Sequence, residues 1–123
     1  MRSVMECTDI DLTVTAFIVN VTFKREEIGQ LRYVSLSVMP SESDSTELEV
    51  DSQLNLLEDL VGRIHVQPRQ VIITLDAQWE PEGDIFREFV IDLPCEISPW
   101  LRDAIRHVCG PRVRWVEGEC SRG

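Results

Sequence analysis

The run DLTVTAFIVNVTF (11–23) alternates apolar and polar side chains and is rich in β-branched residues; LRYVSLSVM (31–39) repeats the alternation with Val34, Leu36 and Val38 on one parity. A period of two sends alternate side chains to opposite faces of a strand, so these runs, joined by KREEIGQ, predict a β-hairpin. The first run changes phase: Leu12, Val14 and Ala16 fall on one parity, and Phe17, Val19, Val21 and Phe23 on the other. That predicts a bulge or a doubly buried strand near Ala16. A second hairpin is predicted from VIITLDAQW (71–79) and IFREFVIDL (85–93), with the turn residues EPEGD between them. Val71, Ile73, Leu75, Ala77 and Trp79 share one face of the first arm, and Phe89, Ile91 and Leu93 point inward from the second.

Two stretches follow the helical period instead. DSQLNLLEDLVGRI places Leu57, Leu60, Val61 and Ile64 at i, i+3, i+4 and i+7 behind an Asp51 or Ser52 cap, predicting a helix over 52–65 whose last turn Gly62 weakens. SPWLRDAIRHVCGP predicts a helix over 99–109: Ser98 caps it, Pro99 sits at N1, Leu101, Ala104, Ile105 and Val108 form the stripe, and Gly110 and Pro111 end it. RVRWVE reads as a short closing strand with Val113 and Trp115 on one side. The predicted class is therefore α+β, in ββα-ββα-β order: one mostly antiparallel five-stranded sheet with two helices packed on one face. An offset of 54 brings Gly29 onto Gly83 and Pro40 onto Pro94, but the second strands disagree in phase, so no internal duplication is read.

At 123 residues, with 43% apolar side chains, the chain reads as a single domain over 1–123, with loose termini at 1–10 and 117–123 and an acidic loop at 40–51. The first residues lack an apolar leader core and no run approaches a bilayer span, so the expectation is a cytoplasmic protein with no membrane partner. Cys7, Cys95, Cys109 and Cys120 match no disulfide framework and are read as free thiols.

Candidate chemistry is sparse. Of the two histidines, His107 shares a helical face with Asp103, which could orient an imidazole but equally suits an ordinary exposed i, i+4 pair. Cys109 lies on the opposite side of that helix. No paired Cys or His ligands at zinc spacing, glycine-rich phosphate loop or nucleophile elbow occurs, so the reading is non-enzymatic, with no cofactor and no metal.

Charge carries more information. The formal net charge of −10 is concentrated in residues 40–60, which sum to −7, and 76–96, which sum to −6. PSESDSTELEVDSQLNLLED (40–59) holds seven carboxylates and no Lys or Arg. The helix macrodipole accounts for Asp51, Glu58 and Asp59 but leaves Glu42, Asp44, Glu47 and Glu49 repelling one another without local compensation. With Asp51 and the turn residues Glu80, Glu82 and Asp84, these form the candidate partner-binding set. Such a surface repels nucleic acid and suits a basic protein that itself binds nucleic acid. The expected function is a small acidic inhibitor of a nuclease or nuclease complex, of the anti-CRISPR, anti-restriction or immunity kind. The alternative is a non-enzymatic oligomeric adaptor or structural subunit, a homodimer included, that binds through a strand edge or an open sheet face showing Tyr33, Ile72, Phe86 and Val90.

Overall fold

The computed structural model describes residues 2–27, 30–39, 43–50, 54–58, 61–76, 87–109 and 113–118. In chain order these form β1 (Arg2–Glu6), β2 (Asp9–Val14), β3 (Val19–Glu27), β4 (Gln30–Met39), β5 (Ser43–Val50), β6 (Leu54–Glu58), β7 (Val61–Gln67), β8 (Gln70–Leu75), β9 (Glu88–Asp92), α1 (Pro99–Val108) and β10 (Arg114–Glu117). The expected single sheet with two helices is not formed. The strands make two five-stranded sheets, ordered β1-β9-β8-β7-β10 and β2-β3-β4-β5-β6, and α1 is the one helix among the described residues.

The second sheet is an antiparallel meander. Its first turn explains the phase change at Ala16: the run is not one bulged strand but two strands closed by a two-residue loop. Thr15 N–H donates to the Ile18 carbonyl at 2.9 Å, while Thr15 Oγ1 accepts from the main-chain N–H of Phe17 and Ile18, each at 3.1 Å. The resulting register pairs Leu12 with Val21 and Val14 with Val19. Even positions of β2 therefore lie on the same face as odd positions of β3, and the parity flip in the sequence is the mark of the turn. The β3–β4 hairpin forms as expected, with Val21 opposite Leu36 and Phe23 opposite Val34.

The segment expected as an acidic loop at 40–51 contains strand β5, which pairs with β4 through Leu36–Leu48 and Val34–Val50. The helix expected over 52–65 is replaced by β6 and β7. VGRIHVQ also satisfies a period of two, and its β-branched residues suit a strand with neighbours on both sides: Ile64 faces Ile73 on β8 and Trp115 on β10. Gly62 marks a close approach rather than a weak helical turn. Pairing with β8 shifts between Val61 and Arg63, and a Cβ at Gly62 would lie 3.2 Å from the Asp76 Cα.

The first sheet is mixed. β8 pairs antiparallel with β9, as the second hairpin predicts, and also with β7, where the sequence reads as helix; β1 and β10 add parallel strands at the two edges. The N-terminal residues expected to be loose thus form β1 and the start of β2, and Glu117 ends β10; residues 119–123 lie outside the described part. Ala77 and Trp79 also lie outside it.

α1 follows its sequence signals closely. Ser98 Oγ accepts from Leu101 N–H at 3.3 Å, Pro99 opens the helix, and Leu101, Ala104, Ile105 and Val108 are buried. Gly110 and Pro111, expected to end it, lie outside the described residues, and the cap is Cys109 in extended conformation. The helix packs on β3 and β4. Its stripe, Val21, Phe23, Leu36 and Leu48 from the meander, and Ile64, Ile73, Phe89 and Ile91 from the mixed sheet join in one core. Buried Thr46 ties β5 to this helix by donating to the Val108 carbonyl at 2.5 Å. Thr46→Val keeps the shape but strands that carbonyl in the core, and a loss of about 1–3 kcal/mol is expected from denaturant titration.

Candidate functional site

On β5 the parity rule divides TELEV cleanly: Thr46, Leu48 and Val50 are buried, and Glu47 and Glu49 emerge on the other face. The register continues that outer face across the meander. Glu47 and Glu49 lie opposite Ser37 and Ser35 of β4, these opposite Asn20 and Thr22 of β3, and these opposite Thr13 and Asp11 of β2.

The centre of this face is a hydrogen-bonded strip of small polar side chains. Asn20 Nδ2 donates to Ser35 Oγ at 2.8 Å, Thr22 Oγ1 donates to Asn20 Oδ1 at 2.9 Å, and the Thr22 and Ser35 hydroxyls are 3.0 Å apart. On one flank Lys24 Nζ reaches Asp9 at 3.6 Å and bonds to Asp11, and the Asp11 hydrogen bond raises the lysine above its ordinary pKa. On the other flank the Tyr33 hydroxyl donates to Glu49 Oε2 at 2.7 Å. Asp9, Asp11, Glu26, Glu47 and Glu49 share the face with Lys24, so it carries a net negative charge.

The sequence-derived set is only partly brought together here. Glu47 and Glu49 stand side by side; Asp44 lies in β5 at a position of opposite parity, and Glu42, Asp51, Glu80, Glu82 and Asp84 lie outside the described residues. The described members of the second acidic block, Asp76, Glu88, Asp92 and Glu96, belong to the mixed sheet and its connections, so the two blocks do not merge on the meander face. Asp9, Asp11 and the Ser/Thr/Asn strip were missed, although VNVTFK and YVSLSV display them as the polar parity of well-marked strands.

The expected open apolar face does not form. Tyr33 lies on the meander, whereas Ile72 pairs with Val90 on the mixed sheet, where Val90 is buried; Phe86 lies outside the described residues. The histidines are engaged by main-chain oxygens: His107 Nδ1 is 2.8 Å from the Asp103 carbonyl rather than its carboxylate, and buried His65 has Nε2 2.8 Å from the Gly118 carbonyl. Among the described residues no group of three His, Cys, Asp or Glu side chains converges as a metal site. A small cleft of about 110 Å³ between Val66, Pro68, Ile97 and Gly118 contains an Arg102–Glu117 ion pair closed on itself at 3.0 Å.

Cys7, Cys95 and Cys109 are free thiols. Burial pushes the Cys7 thiol above its ordinary pKa, and the same cause acts on half-buried Cys109. Because the thiolate is the reactive species, brief alkylation at neutral pH is expected to modify exposed Cys95 and spare Cys7, with Cys109 labelling rising only as pH approaches its raised value. Peptide mapping by mass spectrometry checks this, and rapid labelling of Cys7 in the folded protein would contradict the packing of β1 on the core.

Comparison with models of known protein families, with curated proteins and with solved structures returns no match. No helix among the described residues is long and apolar enough to cross a membrane.

Proposed function

We propose that this protein is a small acidic binding protein that inhibits a partner, such as a nuclease or nuclease complex, by occupying its basic, nucleic-acid-binding surface. The observation that carries this reading is the outer face of the meander, where Glu47 and Glu49 lie on the same side of β5 beside an internally hydrogen-bonded Ser/Thr/Asn strip. Because the strip satisfies many of its own polar groups, docking against it desolvates few unpaired atoms, and the rim carboxylates meet Lys and Arg from the partner. A lysine-rich or arginine-rich groove evolved to hold phosphates presents the matching charge.

The test is capture from an extract of the source cell on immobilised wild-type protein and on a Glu47→Lys/Glu49→Lys variant. The expected result is a basic protein held by the wild type, released by salt, displaced by added nucleic acid and absent from the variant. A partner held equally by both proteins, or one indifferent to nucleic acid, would overturn the reading.

A further inference from the structure

The meander ends on one side at β2, the longest of the four edge strands among the described residues. Every β2 residue except Ile10 is exposed, including Leu12 at 37% and Val14 at 64%, and Phe17 in the following turn is 71% exposed. Long exposed edges are normally blunted by proline, charged side chains or a bulge; β2 contains no proline or lysine and pairs with β3 without a register shift, and its two charges, Asp9 and Asp11, are tied to Lys24 on β3.

The direction of its main-chain groups follows from the turn. Thr15 N–H bonds to the Ile18 carbonyl, so Thr15 and Ile18 are a hydrogen-bonded pair, and alternation along an antiparallel ladder makes Thr13–Asn20, Asp11–Thr22 and Asp9–Lys24 hydrogen-bonded pairs as well. The N–H and C=O groups of Ile10, Leu12 and Val14 therefore point away from β3, toward the open edge, where the Ile10 N–H donates to Asp9 Oδ1 at 2.9 Å.

We infer that this edge is a self-association site: two copies of the chain pair antiparallel through β2, about a twofold axis at Leu12, joining their meanders into one ten-stranded sheet. The register follows from two requirements. Keeping the apolar faces of both sheets on the same side demands that residues of equal parity lie opposite, which places the axis on a residue rather than between two. Among those choices, an axis at Asp11 sets that carboxylate against its own copy, and one at Thr13 uses fewer of the outward groups. An axis at Leu12 pairs Leu12 with the second copy's Leu12 and Ile10 with its Val14, using all three outward residues of each copy once the Ile10 N–H exchanges its bond to Asp9 for the second copy's carbonyl. It also sets Asp11 opposite Thr13 and Asp9 opposite Thr15, while both carboxylates are ion-paired with Lys24 of the same copy. The outer face of the joined sheet then carries two copies of the Glu47–Glu49 pair, one toward each far side.

Analytical ultracentrifugation over a dilution series tests the site, together with disulfide trapping. The wild type is expected to show a concentration-dependent monomer–dimer equilibrium. Leu12→Pro, which removes an N–H that the ladder alternation turns away from β3, and Val14→Asp, at an exposed position, are expected to be monomeric with unchanged circular dichroism; should the proline variant unfold, the aspartate variant alone decides. Directly opposed residues of a hydrogen-bonded pair have Cα atoms about 5.5 Å apart, within disulfide range, so Leu12→Cys should cross-link to its own copy on oxidation. Val14→Cys should not, because the two Val14 positions are separated by roughly 13 Å along the strand. A wild type that stays monomeric up to roughly 1 mM, or a dimer that survives both edge variants, would overturn the inference, as would equal cross-linking at positions 12 and 14.

Discussion

Replacing Ile105 with alanine is expected to destabilise the protein by about 2–5 kcal/mol and to lower its thermal midpoint by roughly 10 °C. Ile105 has no exposed surface and belongs to the core shared by α1 and the two sheets. Alanine is the better helix former, so helix propensity alone would predict a small gain. A large loss therefore measures the cavity left where α1 packs on β3 and β4 and not any weakening of the helix itself. Trp100→Ala is the control: Trp100 lies on the same helix but is 55% exposed, and its removal is expected to change stability by less than about 1 kcal/mol. Against a total stability of about 5–15 kcal/mol the Ile105 change is a large fraction, readily measured by urea titration. Equal effects at the two positions would mean that α1 is not docked as described.

Those parts of the fold whose signals are local were legible in the sequence. Ser98 and Pro99 mark the start of α1 and its stripe marks the buried face; the alternating runs of β3, β4, β8 and β9 mark strands and their inward residues. What failed needed information from distant residues. Leu57, Leu60, Val61 and Ile64 fit a helical stripe, but the same stretch fits two strands once β5 is available to pair with β6, and β8 and β10 with β7. Nor does RSVME announce itself as a strand; it becomes one by pairing in parallel with β9, whose residues lie near the other end of the chain. The candidate site was legible to the same degree. Glu47 and Glu49 stood out by charge, while the Ser/Thr/Asn strip and Asp9 and Asp11 join them only through the β2–β3–β4–β5 register.

The second large effect concerns those two glutamates. Glu47→Lys/Glu49→Lys is expected to leave the fold intact, because both side chains lie on the outer face of β5. At Glu49 the variant gives up the hydrogen bond from Tyr33, worth about 1 kcal/mol. A thermal midpoint measured on the same variant separates any effect on binding from one on folding. Rim and steering charges act chiefly on the rate of encounter, where a favourable field raises association by about 10-fold to 1,000-fold.

The decisive measurement is the association rate of wild-type and doubly reversed protein with the captured basic partner, at low salt and at about 1 M salt, where the screening length falls to about 3 Å. If the acidic outer face of the meander is the binding surface, reversal slows association at least about tenfold at low salt, and the two rates converge as salt rises. Equal rates for the two proteins at low salt would contradict it.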